Sequence, residues 1–427
     1  MTYDEALKYI HGVSWTFCKP GLERISELCS ALGNPQDSLK FIHVAGTNGK
    51  GSFCSMISSA LTRAGLKVGV YTSPYITRFN ERMRVGNECI PDSTLAELTE
   101  RIKPIADAMK DKPTEFELIT AIAFDYFSKE GVDVVVLECG MGGRLDSTNV
   151  IKSSVLSVIT GIALDHTAFL GDTVEKIAYE KAGIIKNNTP VLYGGDDDSA
   201  AAVIEAEAIK KGSPFVRTDY KKLKVSSATL DGSVFSYRER KDISISLLGT
   251  YQPKNASLVL DALDLIAPHF PSLTEDAIRR GLNTARWPAR FEIISEDPTV
   301  IFDGAHNAQG IKSAVESIRT YFGKEKVVVI TGVLSDKDYN DIAKEISGVA
   351  SKVFTITPDS PRALKADEYA SVLESYGVKA DATPDIKSAV RSATELALSN
   401  NMSVACLGSL YTYSDVLNAI TKVKSGI

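Results

Sequence analysis

Little in this chain could staple it covalently or through a structural metal. Its six cysteines, Cys18, Cys29, Cys54, Cys89, Cys139 and Cys406, are scattered without a Cys-x-x-Cys pair, and its five histidines form no zinc motif. That pattern argues against a disulfide scaffold and points to free thiols in a reducing compartment. No apolar run approaches the roughly 20 residues that span a bilayer. Positive charge is also in short supply. A net charge of −6 over 427 residues leaves no broad basic surface for nucleic acid, although a local cationic pocket for an anion remains open. The first residues, Met1-Thr-Tyr-Asp-Glu-Ala6, are acidic and amphipathic instead of basic and then apolar, so no signal or transit peptide is expected. These absences predict a cytoplasmic protein with neither membrane nor nucleic-acid partners.

What is present starts with Phe41-Ile-His-Val-Ala-Gly-Thr-Asn-Gly-Lys-Gly-Ser52. An apolar strand, Phe41 to Val44, breaks into a glycine-rich turn, and a helical pattern follows from Ser52 to Ala64. This order suits a phosphate cradle. Gly46, Gly49 and Gly51 let backbone N–H groups converge on an anion, the helix start favours negative charge, and Lys50 supplies a mobile cation. The loop departs from the usual P-loop, because two residues separate its first glycines instead of four and Gly51 stands where Ser or Thr normally meets magnesium. A hydroxyl for the metal must come from Ser52 or from elsewhere.

Further along, helices are expected at 2–11 and 20–32, and a second strand at 67–72 completes a β-α-β unit. Ser73 to Gly86 carries Arg78, Arg82 and Arg84 without clear periodicity, which fits either a substrate loop or a solvated connection. Helices follow at 92–110, with Asp92 or Ser93 as N-cap, and at 116–129. Val132 to Gly140 reads as a buried parallel strand closing on Glu138. A carboxylate there is placed for a metal beside nucleotide phosphates, or for a helix cap or an ion pair. Gly140-Met-Gly-Gly-Arg-Leu-Asp-Ser-Thr-Asn149 is a glycine-rich loop carrying Arg144 and Asp146. Strand 155–160 then runs into Asp165 and His166, either a capping pair or a ligand site at a strand's C-terminal end.

A helix at 173–182 capped by Thr173, a strand at 190–193, a helix at 199–211 and a strand at 214–217 continue the series. From Leu223 to Leu247 the apolar period falls to two, with an Asp231-Gly232 turn, which predicts antiparallel hairpins attached to the parallel core. Helices are expected at 256–266 and 274–282. Arg286-Trp-Pro-Ala-Arg-Phe291 lacks a regular period and marks a domain boundary. Beyond it, strands at 298–302, 326–331, 352–356, 377–381 and 402–407 alternate with helices at 308–322, 337–348, 366–375, 385–399 and 412–424. The fold class is therefore α/β in two domains. Residues 1–287 form an N-terminal P-loop domain, a mostly parallel sheet with a small antiparallel part. Residues 288–297 are a linker, and 298–427 form a C-terminal Rossmann-like open α/β sheet. The first loop of that second domain, Phe302-Asp-Gly-Ala-His-Asn307, poses the same question as Asp165-His166. No further apolar amphipathic segment stands outside the two predicted cores, so a monomer is expected.

Taken together, Gly46-Thr-Asn-Gly-Lys-Gly-Ser52, Leu137-Glu-Cys-Gly-Met-Gly-Gly-Arg-Leu-Asp-Ser-Thr-Asn149, Leu164-Asp-His-Thr167, Glu180-Lys-Ala-Gly-Ile184, Trp287-Pro-Ala-Arg290 and Asp303-Gly-Ala-His-Asn307 form a set. In this order the chain resembles the folylpolyglutamate synthase/dihydrofolate synthase family of the ATP-dependent Mur ligase superfamily. The resemblance covers nearly the whole chain and makes the first domain a Mur ligase central-type domain. It implies an amide-forming ligase in which ATP phosphorylates a carboxylate and the amine of L-glutamate attacks the acyl phosphate.

By the same resemblance Gly46, Thr47, Asn48, Gly49, Lys50, Gly51 and Ser52 cradle the nucleotide with Asn255. Ser73, Glu138 and His166 ligate Mg2+, Ser73 making good the missing hydroxyl at Gly51, and a monovalent cation such as K+ accompanies it. Lys181 matches a lysine that relatives carbamylate. Asp303, His306 and Arg290 complete the ATP site when the domains close, and the catalytic set is Lys50, His166, Lys181, Asp303 and His306. Phe116, Arg82, Arg144 and Asp165 fall to the pterin substrate. Departures from the family pattern are Tyr251-Gln252 where His-Gln is common, Ala289 for the glycine of Trp-Pro-Gly-Arg, and Ala308 for a proline. Thr47-Asn48 reads as in dihydrofolate synthases and bacterial bifunctional enzymes, whereas eukaryotic chain extenders tend to carry Thr-Lys. The implied partners are thus dihydropteroate, L-glutamate and ATP. Folylpolyglutamate synthase, alone or bifunctional, is the nearer alternative, a non-catalytic ATP-binding regulator the more remote one. A peptidoglycan ligase fits less well, because the Glu180-Lys-Ala-Gly and Gly-Gly-Arg-Leu-Asp segments follow the folate branch.

Overall fold

A computed structural model describes residues 1–13 and 20–425, so Cys18 lies outside the described residues. The other five cysteines are free thiols. The chain divides into two compact units, Met1–Leu223 with Lys254–Ala285, and Lys224–Pro253 with Arg286–Ile427.

In the first unit the strands are β1 Phe41–Ala45, β2 Val68–Tyr71, β3 Met83–Val85, β4 Glu88–Cys89, β5 Val134–Glu138, β6 Leu156–Ile159, β7 Val191–Tyr193 and β8 Phe215–Arg217. They make one eight-stranded sheet in the order β4-β3-β2-β5-β1-β6-β7-β8. From β2 to β8 the ladder is parallel, and β3 and β4 add an antiparallel edge. Every residue of β1, β2, β5 and β6 is buried, which is why these strands are predominantly apolar, with His43 and Ser157 inside them and Glu138 at an end. One core gathers Phe41, Tyr71, Phe124, Phe127 and Leu137, and another gathers Ala45, Ile159, Ala178, Tyr193 and Ile204.

One expectation changes here. Neither Asp92 nor Ser93 caps the helix Asp92–Ala108, whose N-cap is Pro91. Asp92 is the first helical residue and binds Arg78 (3.0 Å) and the Asn80 amide (2.9 Å). The cationic stretch after Ser73, read as a substrate loop or a solvated connection, has a defined local turn. Its Glu81 carboxylate accepts the backbone N–H groups of Ile76, Thr77 and Arg78, closing a tight turn into β3.

In the second unit β9 Leu223–Thr229, β10 Gly232–Tyr237 and β11 Arg240–Ile245 form a separate three-stranded sheet. These hairpins, expected to be attached to the parallel core of the first domain, fall instead within the second unit. Leu248 is buried in the same apolar cluster as Ile301, Ile311 and Val329, and Leu230 packs against it, so burial draws this segment to the second unit. The stretch expected as a linker also has structure. β12 Glu292–Glu296 pairs antiparallel with β13 Thr299–Asp303, and the division of the chain falls at Ala285 and Arg286. With β14 Val327–Thr331, β15 Ala350–Thr355, β16 Ala380–Ala382 and β17 Val404–Leu407 these make a six-stranded sheet ordered β12-β13-β17-β14-β15-β16. Beyond the antiparallel edge strand β12 its pairings are parallel, as an open α/β sheet requires. Among the described residues no helix is long and apolar enough to cross a membrane.

Candidate active site

Register decides what can meet in the first unit. Tyr71 lies opposite Leu137, Val44 opposite Glu138 and Ala45 opposite Ile159, so β2, β5, β1 and β6 end level with one another. The loops that leave this edge carry Ser73, Glu138, the Gly46–Ser52 turn and the Asp165-His166 pair. Open α/β sheets bind ligands outside such carboxyl ends.

The glycine turn is built to come close to its neighbours. Gly46 has φ +151°, and a Cβ there would lie 2.0 Å from Thr160 Oγ1. Gly49 has φ +87°, and its Cβ would meet Asn255 Oδ1 at 3.0 Å, which brings Asn255 to the loop. Gly49 is also the N-cap of the helix Lys50–Arg63 and brings no side-chain oxygen to it. The dipole at that helix start favours an anion. Loop 160–163 laces onto the turn. Thr47 N–H donates to Gly161 O at 2.7 Å, Ala163 N–H to Thr47 Oγ1 at 3.1 Å, and Thr160 Oγ1 to Asn48 O at 2.6 Å. Thr160 thus fixes the cradle, although the sequence reading gave it no role. The available signal was a hydroxyl at the end of a strand, directly before the Gly161 turn.

Two lysines converge on one carbonyl. Lys50 Nζ donates to Gly46 O (3.0 Å) and Thr47 O (3.3 Å), and Lys181 Nζ donates to the same Gly46 O at 2.9 Å. Lys181 is only 4% exposed. Burial first, and the charge of Lys50 second, pull its amine down to about 7. It projects from the last turn of the helix Val174–Ala182, whose first turn Thr173 caps as expected. The Gly-Gly-Arg loop packs on that helix end. A Cβ at Gly143 would strike Glu180 O at 2.8 Å, and one at Gly183 would strike Arg144 Cβ at 2.3 Å, which explains both glycines.

Glu138 is buried at the end of β5, and Ser73 N–H donates to its Oε2 at 3.3 Å. His166 adopts φ +50°, with its backbone N–H on Asp165 Oδ1 at 2.9 Å and its Nε2 4.0 Å from the same oxygen. Among the described residues no group of three or more His, Cys, Asp or Glu side chains could hold a metal by itself. The expected set of Ser73, Glu138 and His166 is not such a cluster. Its carboxylate and hydroxyl oxygens are nevertheless the hard donors that Mg2+ prefers, and this ion usually shares its shell with phosphates and water.

Of the expected substrate residues, Arg144 is held by Glu180, with Nη2 to Oε1 at 2.7 Å. The Arg82 guanidinium stacks 5.1 Å from the Tyr75 ring and 5.6 Å from Phe79. Phe116 presses on Gly140, where a Cβ would meet its Cζ at 2.7 Å. Asp146, noted in the sequence without a role, accepts Met141 N–H (2.9 Å), Thr148 N–H (3.0 Å) and Thr148 Oγ1 (2.5 Å), and so shapes the glycine-rich loop. Burial raises its carboxyl above the usual range.

The second unit carries its own strand-end loop. Asp303 closes β13 and is buried, accepting the Tyr251 hydroxyl (2.8 Å), Phe291 N–H (3.0 Å) and Ala305 N–H (2.7 Å). Burial raises this carboxyl, against the charge of Arg290 and these hydrogen bonds. His306 Nδ1 lies 2.9 Å from Gly304 O, and Asn307 caps the helix Ala308–Phe322. On either side of Arg290, Ala289 (φ +57°) and Phe291 (φ +45°) are left-handed.

Comparison with known proteins identifies the family. The Mur ligase middle domain matches residues 44–263, and the Mur ligase glutamate ligase domain matches residues 289–410. Folylpolyglutamate synthase of Lacticaseibacillus casei is 37% identical over 100% of both chains. Dihydrofolate synthase/folylpolyglutamate synthase of Bacillus subtilis is 38% identical over 97% of this chain and 98% of its own. Among solved structures, Escherichia coli FolC in complex with DHPP and ADP superposes with TM-score 0.86 and 31% identity, covering 99% of each chain. The chain belongs to the folylpolyglutamate synthase/dihydrofolate synthase family of Mur ligases, and it is an ATP-dependent, carbon–nitrogen bond-forming ligase.

Proposed function

We propose that this chain is a dihydrofolate synthase, which joins L-glutamate to 7,8-dihydropteroate and releases dihydrofolate, ADP and phosphate. What carries the reading is the level ending of four parallel strands, with Lys50 and Lys181 both on the Gly46 carbonyl. A reaction that gathers negative charge on a nucleotide and an acyl phosphate needs a cation, here Lys50, and backbone amides fixed at one point, while Lys181 is the near-neutral amine beside them.

In this mechanism Gly46, Thr47, Asn48, Gly49, Gly51 and Ser52 hold the ATP phosphates through the loop, with Asn255 beside them. Lys50 moves from its loop carbonyls to the γ-phosphoryl oxygens. A dihydropteroate carboxylate oxygen bonds to the γ-phosphorus as the bridging P–O bond breaks, and ADP leaves. The neutral amine of L-glutamate then attacks the acyl carbon, the C–O bond to phosphate breaks, and the amine proton is lost. Ser73, Glu138 and His166 would hold Mg2+, which when bound neutralises phosphate charge. Lys181, carbamylated in relatives, presents a near-neutral amine able to take up CO2. Phe116, Arg82, Arg144 and Asp165 serve the pterin end, and Arg290, Asp303 and His306 serve the nucleotide.

Thr47-Asn48 favours the dihydropteroate acceptor. A second reading, a bifunctional enzyme that also extends folates, is favoured by the double name of the Bacillus subtilis relative. The test is phosphate release with ATP, magnesium and glutamate, comparing dihydropteroate with tetrahydrofolate. Turnover with dihydropteroate alone supports the proposal, and turnover with both makes the enzyme bifunctional. Turnover with tetrahydrofolate alone overturns the proposal in favour of a chain extender.

A further inference from the structure

One carboxylate in the second unit gathers donors from three segments. Asp303 Oδ2 accepts the Tyr251 hydroxyl and Phe291 N–H, and Oδ1 accepts Ala305 N–H. The two backbone donors adjoin the residues that matter here, since Phe291 follows Arg290 and Ala305 precedes His306. A rotation of this carboxylate would loosen both neighbours together. The Arg290 backbone needs such support, because left-handed residues flank it and Gly304 N–H also ties Ala289 O at 2.9 Å.

Tyr251 supplies the side-chain donor, and its segment is itself anchored. Gly249 N–H donates to Tyr321 Oη at 2.9 Å, and Thr250 N–H donates to Ser317 Oγ at 3.0 Å. Gly249 has φ +112°, and a Cβ there would meet the Tyr251 ring at 2.7 Å, so glycine lets the ring lie across the turn. The ring therefore reaches Asp303 from a fixed base. A neutral hydroxyl also stabilises the buried carboxylate without introducing a second charge.

We propose that Tyr251 is a positioning residue for the nucleotide. By fixing the Asp303 carboxylate it sets the backbone on which Arg290 and His306 stand. The proposal rests on the reading of Arg290 and His306 as nucleotide contacts.

Tyr251→Phe keeps the ring and removes the hydroxyl. Steady-state rates should show the KM for ATP raised about tenfold, a typical worth for a hydrogen bond to a charged group. The kcat and the KM for glutamate should stay within about twofold. Because Tyr251 acts through Asp303, the double variant Tyr251→Phe/Asp303→Asn should have no higher KM for ATP than Asp303→Asn alone. An additive double variant overturns the proposal. So does a fall in kcat with the KM for ATP unchanged and a lowered melting temperature, which would mean a purely structural tyrosine. Arg290→Ala separates the two layers. If it raises the KM for ATP while Tyr251→Phe does not, the positioning role fails and the nucleotide reading stands. If neither Arg290→Ala nor His306→Ala moves that KM, the nucleotide reading fails and takes the proposal with it.

Discussion

The loops after β1 and after β13 answer one design problem with opposite charge. Each leaves the carboxyl end of a buried parallel strand and enters a helix. The first holds its backbone with two lysine amines on a carbonyl, the Lys50 cation and the near-neutral Lys181 on Gly46. The second holds its backbone with one carboxylate on two amides, Asp303 on Phe291 and Ala305. A loop fastened by a cation can exchange carbonyls for phosphate oxygens without changing its charge partner. A loop fastened by an anion cannot, since phosphate would repel the carboxylate. Under the proposed function the first loop takes the transferring phosphoryl group, and the second serves the nucleotide through Arg290 and His306 while Asp303 holds their backbone.

The strongest way to break this comparison is Lys50→Met. Removing the mobile cation should lower kcat by about 10³ with little change in folding, because such donors act mainly in the transition state. Phosphate release against melting temperature checks it. A loss below tenfold would mean that Lys50 is a loop fastener only. Next in size is Gly46→Ala. A Cβ 2.0 Å from Thr160 Oγ1, at φ +151°, forces the two loops apart. We expect about 2–4 kcal/mol of destabilisation in urea unfolding, in the range of core overpacking with backbone strain. Thr160→Ala should relieve part of that cost in the double variant.

Much of this was legible in the chain. Predominantly apolar runs announced the parallel strands, and glycine, lysine or carboxylate at their ends announced the loops. Less legible were features set by distant burial. Lys224–Pro253 reads as hairpins, but its own alternation does not say which core will take Leu230 and Leu248. β12 hides in Glu292-Ile-Ile-Ser-Glu296 because an edge strand with a register shift between Ile293 and Ser295 breaks strict alternation. At the site, Thr160 and Tyr251 escaped a role because each contacts a residue far away in sequence. Lys181 was found by resemblance, and its depressed pKa arises from burial that no local pattern encodes.

That depressed pKa gives a smaller test. An amine lowered from 10.5 to about 7 binds fewer protons folded than unfolded between those values. Stability therefore rises with pH across that window, and the full cost of the buried cation is present below about 7. Lys181→Met should abolish turnover yet stabilise the fold by about 1–3 kcal/mol at pH 6, with the gain fading towards pH 10. In ¹³CO2-equilibrated buffer the unsubstituted protein should show a carbamate carbon signal that grows as pH rises through about 7 and is absent from the variant. A pH-independent stability difference would remove the buried-cation account.

The smallest expected effect bears on the second loop. Ala289 sits at φ +57°, fully buried, one residue before Arg290. A left-handed alanine costs about 1–2 kcal/mol that glycine does not. Against this, Ala289→Gly gives up a buried methyl worth about 0.8 kcal/mol. Its unfolded chain also gains conformational freedom worth about 0.5–1 kcal/mol. The balance is near zero, between about 0.8 kcal/mol of destabilisation and about 0.7 kcal/mol of stabilisation in urea. Ala289→Val loses on strain alone, because a β-branched residue tolerates positive φ poorly, and it should destabilise by about 2 kcal/mol or more. If valine proves neutral, the backbone at 289 is not held left-handed, and the carboxylate-fastened loop is looser than its three hydrogen bonds on Asp303 imply.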